Sequence, residues 1–309
     1  MPRPPSPAPL LLIGRLDGRL FRSPARDIWL GRARMSATST VAALAGLPVD
    51  TSDLLAWITG RSPPPRHCEG LNDPMSVAAL VHFVLLAQEA EGDAVAKATL
   101  NALRLLLDDR EEAQTWGRHD LVLFGSAFRA AKRRLAEPYP APTLLAVAER
   151  LLEVHAELEI APVGGRSLAT LDGRQLTVDP RTFGTIWLLA CHLPMALLAA
   201  GFTSQIIPSF VCLPRFFGVT ARDLAVDLEK RLGDTALTGL KELDAVERLD
   251  ANLPKELGVT RRSKLPALMR LEAAFPGIRI PAIARLLKIS PQGAAKLASR
   301  ARERRGHPY

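Results

Sequence analysis

IPAIARLLKISPQGAAKLAS, residues Ile280 to Ser299, is the stretch whose spacing decides how the end of this chain folds. Pro281 suits the first turn of a helix, where its missing N–H would be unpaired anyway. Ile283, Ala284 and Leu287 fall on one side of that short helix and form its inner face. Lys288, Ile289 and Ser290 are the expected turn, with Ile289 pointing inward. Ser290 is a good N-cap and Pro291 a good first residue of the next helix. Ala294 and Leu297 then pack that helix against the first, and the small Ala284 lets the two approach closely. A helix upstream, Pro266 to Phe275, supplies Leu268, Leu271 and Phe275 as a third wall. The pattern predicts a three-helix, helix-turn-helix module over 255–309.

With that face buried, the last helix turns Ser290, Gln292, Lys296 and Ser299 outward. These residues sit at the end of the helix that meets base edges in a major groove. Gln can pair with adenine through two hydrogen bonds, and Lys can reach guanine. Arg261, Arg262, Lys264, Arg279, Arg285, Lys288, Arg300 and Arg302 are the expected phosphate contacts, with Arg304 and Arg305 beside them. Charge agrees. Residues 255–309 hold 13 Lys/Arg against 3 Asp/Glu, whereas residues 1–254 hold 27 against 29. The whole cationic excess of the chain therefore lies in the tail and calls for an anionic partner. The expected partner is double-stranded DNA, read sequence-specifically, with a homodimer as a natural form. A helical hairpin with a solvated basic face, or one that contacts another protein, fits the spacing alone.

Outside the tail the composition is that of a mostly α protein. Ala and Leu are abundant and aromatic residues make up only 5%. Residues 1–9 are Pro-rich and read as disordered, and 10–254 read as a helical domain. Two or three helices are expected over 10–60, with a break near Gly46-Leu47-Pro48 and Asp50 among the caps before LLAWI. Further helices are expected from Pro74 to about Glu91, over 93–114, over 119–136, from Thr143 to Leu158, over 183–202, over 221–232 and over 236–252. One β signal stands out. SLATLDGRQLTVD sets Asp172-Gly173, a preferred two-residue turn, between two short alternating runs, so a hairpin is expected over about 168–178. The segment FGTIWLLACHLPMALLAAGF has no charged residue and is long enough to span a membrane. His192 and Pro194 within it favour a buried helix of a helical domain. Leu10–Ile13 is too short for a signal-peptide core. Cys68, Cys191 and Cys212 form no CxxC pair, and the latter two read as buried reduced thiols, which fits a cytoplasmic protein.

No signature of catalysis emerges. A phosphate loop, GxGxxG and HExxH are all missing, and the six histidines show no metal-ligand spacing. Arg118-His119-Asp120 places a base beside an acid, but neighbours in sequence face apart on a helix. Gly164-Gly165-Arg166 reads as a plain loop more readily than as an anion turn. No cofactor is expected.

RLDGRLFRSPARDIWLGRA (Arg15–Ala33) resembles the opening signature of a family of uncharacterised bacterial proteins common on plasmids of nitrogen-fixing soil bacteria. Those proteins carry an N-terminal domain of unknown function and a C-terminal helix-turn-helix domain. GLKELDAVERLD, RRSKLPALMRLEAAFP and IARLLKISPQGAAKLASRARERR are similar to that second part. The resemblance implies DNA binding and regulation of transcription or plasmid functions. Relatives continue into a wing, whereas this sequence ends at Tyr309. A weaker similarity is to Fic-type nucleotide transferases, with their hairpin flap and HPFxxGNGRxxR loop entering a long buried helix. Here Pro180 and Gly184 agree, but Asp179 stands in place of the catalytic His, Thr185 in place of the metal-supporting Asn, and Trp187 in place of the first phosphate-binding Arg. That resemblance implies a retained scaffold, or else nucleotide transfer through a non-standard site. A His base and a cationic phosphate clamp are not replaced by Asp, Thr and Trp.

Overall fold

Eleven α-helices account for most of the described chain, and most of them start at a proline or a side-chain cap. The computed structural model describes residues 8–62, 74–89, 126–158, 166–169, 175–178, 184–218, 220–254, 259–260 and 262–304. In chain order the helices are α1 (Pro9–Arg22), α2 (Arg26–Leu44), α3 (Thr51–Ile58), α4 (Pro74–Glu89), α5 (Ser126–Ala136) and α6 (Leu144–Glu157). Then follow β1 (Arg166–Ala169), β2 (Gln175–Val178), α7 (Ile186–Ala199), a 3-10 turn (Pro208–Phe210) and α8 (Ala221–Ala251). The tail holds α9 (Leu265–Ala274), α10 (Ile280–Leu287) and α11 (Pro291–Arg304).

Local chemistry sets several of these boundaries. Asp50 caps α3 by accepting from the Ser52 N–H at 3.2 Å, and Thr143 caps α6 by accepting from the Ala146 N–H at 3.2 Å. The hairpin forms as expected, with β1 and β2 antiparallel and Arg166 opposite Val178. Its Asp172-Gly173 turn lies outside the described residues, as do the helix expected over 93–114 and the sites at Cys68, Arg118–Asp120, Gly164–Gly165 and Asp179–Pro180.

The membrane-length apolar segment resolves into α7, a helix of 14 residues. It is buried on almost every side, against α2, α4, α5 and α6. No helix among the described residues is long and apolar enough to cross a membrane. The high hydropathy of α7 reflects burial in protein on most of its faces.

One boundary differs from expectation. Residues 221–232 and 236–252 form one helix of 31 residues, with no break at Gly233-Asp234-Thr235. Gly233 is there for closeness. A Cβ on it would lie 2.6 Å from the Pro9 Cβ, so the glycine lets the start of α1 rest directly on α8. The two helices then run side by side in the same direction. Leu16 meets Gly239, and Arg19 pairs with Asp244 and Glu247, each at 2.6 Å. The α8 helix also packs on α6, and Leu224 and Leu228 in its first half are buried.

At the centre lies α2, whose buried residues face in several directions. Trp29 donates its indole N–H to the Gly239 carbonyl at 3.1 Å. Gly31 meets Ala274 and Phe275 of α9, where an added Cβ would come within 3.2 Å of the Ala274 methyl. The apolar core is therefore continuous from α1 and α2 into the C-terminal three helices.

A candidate nucleic-acid interface

The C-terminal module assembles as its spacing dictates. Leu268 and Leu271 of α9 and Phe275 at its C-terminal end are buried, as are Ile283, Ala284 and Leu287 of α10. The inner face of α11 is Ala294, Ala298 and Ala301, with Leu297 half-buried at its margin. Ala298 and Ala301 take the central places where Ala294 and Leu297 alone are expected. Their i, i+4, i+7 spacing was the available signal. A face of methyl groups seats α11 close against its neighbours.

The turn between α10 and α11 has a specific geometry. The Lys288 N–H donates to the Arg285 carbonyl at 3.2 Å and the Ile289 N–H to the Ala284 carbonyl at 3.0 Å. This pair of bonds closes α10, with Ile289 packed back on the core. The closure requires a left-handed residue, and Lys288 supplies it with φ of 51°. A non-glycine residue there costs roughly 1 kcal/mol. Ser290 then caps α11, accepting from the Gly293 N–H at 3.1 Å. Ser290→Ala should lower stability by about 1 kcal/mol, while Ser290→Asp retains the cap. Urea denaturation of the two variants measures this, and equal stability of Ser290→Ala and wild type would remove the cap from the account.

On the opposite side, Ser290, Gln292, Lys296 and Ser299 are all exposed. Gln292, Lys296 and Ser299 form one stripe at i, i+4, i+7, with Arg300 and Arg302 on its two flanks. Glu303 continues the stripe at its far end, among the arginines Arg300, Arg302 and Arg304 that crowd the second half of the helix. Arg262, Lys264, Arg279, Arg285 and Lys288 are exposed as well, and Arg261 lies outside the described residues. None of these exposed cations of the module forms an ion pair with a described residue.

Arg270, on α9, is different. It donates to both Asp27 carboxylate oxygens, to Asp250 at 2.7 Å and to the Pro24 carbonyl at 2.5 Å. Those two carboxylates raise its pKa above the ordinary arginine value. This cation fastens the module to α2 and α8 and is unavailable to a ligand. Arg32 adds to the same joint by donating to the Ala273 carbonyl at 2.7 Å.

The positions aligned with a nucleotide-transfer loop point elsewhere. Thr185 is 7% exposed and hydrogen-bonded to the His155 ring, and Trp187 is 3% exposed. Both side chains are spent on the core at the start of α7, while Asp179 and Pro180 lie outside the described residues. Burial pushes the Cys191 thiol up to about 12 and the Cys212 thiol up to about 11, so neither is a ready nucleophile. Among the described residues no group of His, Cys, Asp and Glu side chains could hold a metal ion. In comparisons with known proteins, no family model, no curated protein and no solved structure matches the chain.

Proposed function

We propose that this protein binds double-stranded DNA through α9–α11, with α11 as the recognition helix, and that it regulates transcription or plasmid functions through the sequences it selects. The observation that carries this reading is the two-sided character of α11. Its alanine face is buried and its opposite face presents Gln292, Lys296 and Ser299 among unpaired arginines. Every surface helix segregates a buried face from a polar one; what sets α11 apart is an outer face of amide, hydroxyl and cationic groups with no carboxylate before Glu303. The anionic partner must match both hydrogen-bonding side chains and flanking cations, and a major groove offers base edges between two phosphate rows. The resemblance of the tail to helix-turn-helix proteins of soil-bacterial plasmids supports the same reading. A second copy on an inverted half-site would place two recognition helices about 34 Å apart.

The test is selection of a preferred duplex from a random pool, followed by titration of wild type and of a Gln292→Ala, Lys296→Ala double variant. Wild type should bind with an affinity that falls steeply with salt, with a log–log slope of about −0.9 per phosphate neutralised. The double variant should lose roughly tenfold or more of its preference for the selected site over random DNA, at about 1–3 kcal/mol per base contact. Unchanged preference would displace α11 as the reader. Absence of binding at low salt would end the DNA reading altogether.

A further inference from the structure

We propose that the corner Thr59–Arg61, at the end of α3 in the N-terminal half, is part of the DNA-binding surface, where Arg61, Arg279 and Arg285 form one site for a backbone phosphate. This rests on the DNA-binding reading of α11. The corner is built against the module. Thr59 accepts a hydrogen bond from the Arg279 N–H at 2.9 Å, across 220 residues of sequence. Gly60 has φ of +72°, and the point where its Cβ would stand is 3.2 Å from the Ala282 methyl and 3.6 Å from a guanidinium nitrogen of Arg285. Gly277 has φ of +79°, and the corresponding point beside it is 3.8 Å from the guanidinium carbon of Arg61. The left-handed glycines on both sides of this contact let the two backbones meet closely, which brings Arg61, Arg279 and Arg285 to one corner.

Arg61 is also held in place. Its Nε donates to the Thr59 hydroxyl at 3.0 Å, which leaves the terminal nitrogens free to face solvent. Arg61, Arg279 and Arg285 are all exposed, and no described carboxylate pairs with any of them. The Arg61 and Arg285 guanidinium groups lie beside the two glycines, and Arg279 leaves the backbone at the same corner, so a site without a described counter-charge suits an anion. Arginine's fork suits a phosphate in particular. The corner also adjoins the start of α10, the helix that in this class of module crosses the DNA backbone. Arg61 was invisible as a site residue in the sequence because it lies in a loop far from the basic tail.

The test uses the full chain and a fluorescent duplex across a salt series. Arg61→Gln, which keeps a polar side chain near Thr59, should weaken binding about fivefold at moderate salt and make the log–log slope shallower by about 0.9. Arg222→Gln, at an exposed position on α8, is the control and should change neither. Arg61→Lys loses the Nε donor but keeps the charge, so it should hold close to the wild-type slope. Wild-type binding by Arg61→Gln would overturn the proposal, leaving Arg61 as a solvated surface cation. An equal loss in Arg222→Gln would overturn it as well, since the effect would follow total charge. A loss in Arg61→Lys as large as in Arg61→Gln would assign the effect to the fold of the corner and overturn the phosphate role. If wild type itself fails to bind at low salt, the reading of α11 falls first and this site falls with it.

Discussion

Lowering the pH from 7 to 5 should cost the folded protein about 4 kcal/mol, because two buried histidines must stay neutral in the fold. His82 and His192 are each 1% exposed. Burial pushes both down to about 3, helped at His82 by the nearby Arg34 and at His192 by Lys132. His82 faces the Thr38 hydroxyl at 3.2 Å, and His192 faces the Gln88 amide at 3.4 Å. In the unfolded chain both take a proton near pH 6.5. The unfolded state thus binds more protons at every pH between about 3 and 6.5, and stability rises with pH across that window. It is fully present above 6.5 and is lost as the pH falls towards 3. Urea midpoints at pH 7.5, 6 and 5 would show the slope, and His82→Gln should remove about half of it. A flat profile between pH 7 and 5 would mean that both rings accept protons inside the fold.

Replacing Arg270 with Met should destabilise the protein by about 3 kcal/mol, because it strands two carboxylates that are largely enclosed. The Asp27 and Asp250 side chains are 24% and 16% exposed, and the Met stem fills the volume without replacing the charge. Arg270→Lys keeps a charge but not the fork that reaches Asp27, Asp250 and the Pro24 carbonyl together, so it should recover only part of the loss. Hydrogen exchange adds a local readout, since α9–α11 should lose protection first when this fastening is cut. A loss below about 1 kcal/mol would place the cluster with ordinary surface ion pairs. Because the end of α9 is wedged against Gly31 of α2, the variant also tests whether the proposed DNA binding depends on how the module is held.

What the amino-acid order determined by itself is local. Ser290 and Pro291 start α11, a cap within Asp50–Asp53 starts α3, and the spacing of Leu268, Leu271, Ile283 and Leu287 names the inner faces of α9 and α10. Each of these follows from residues within a turn or two of one another, where capping and periodicity are short-range physics. The outward stripe of α11 was legible for the same reason, as the complement of its apolar face. Other features needed partners from distant parts of the chain. Gly233 looks like a helix break and is instead a seat for Pro9, so α8 runs on unbroken. Arg270 counts towards the basic tail by composition, yet Asp27 and Asp250 take it for the joint with α2 and α8. Arg61 carries no signal in its own loop and gains one beside Arg279 and Arg285. A helix face or a cap is decided by neighbours in sequence. Whether a cation is a fastener or a free ligand site is decided by which carboxylates the packed helices bring within reach, and that only the tertiary structure settles.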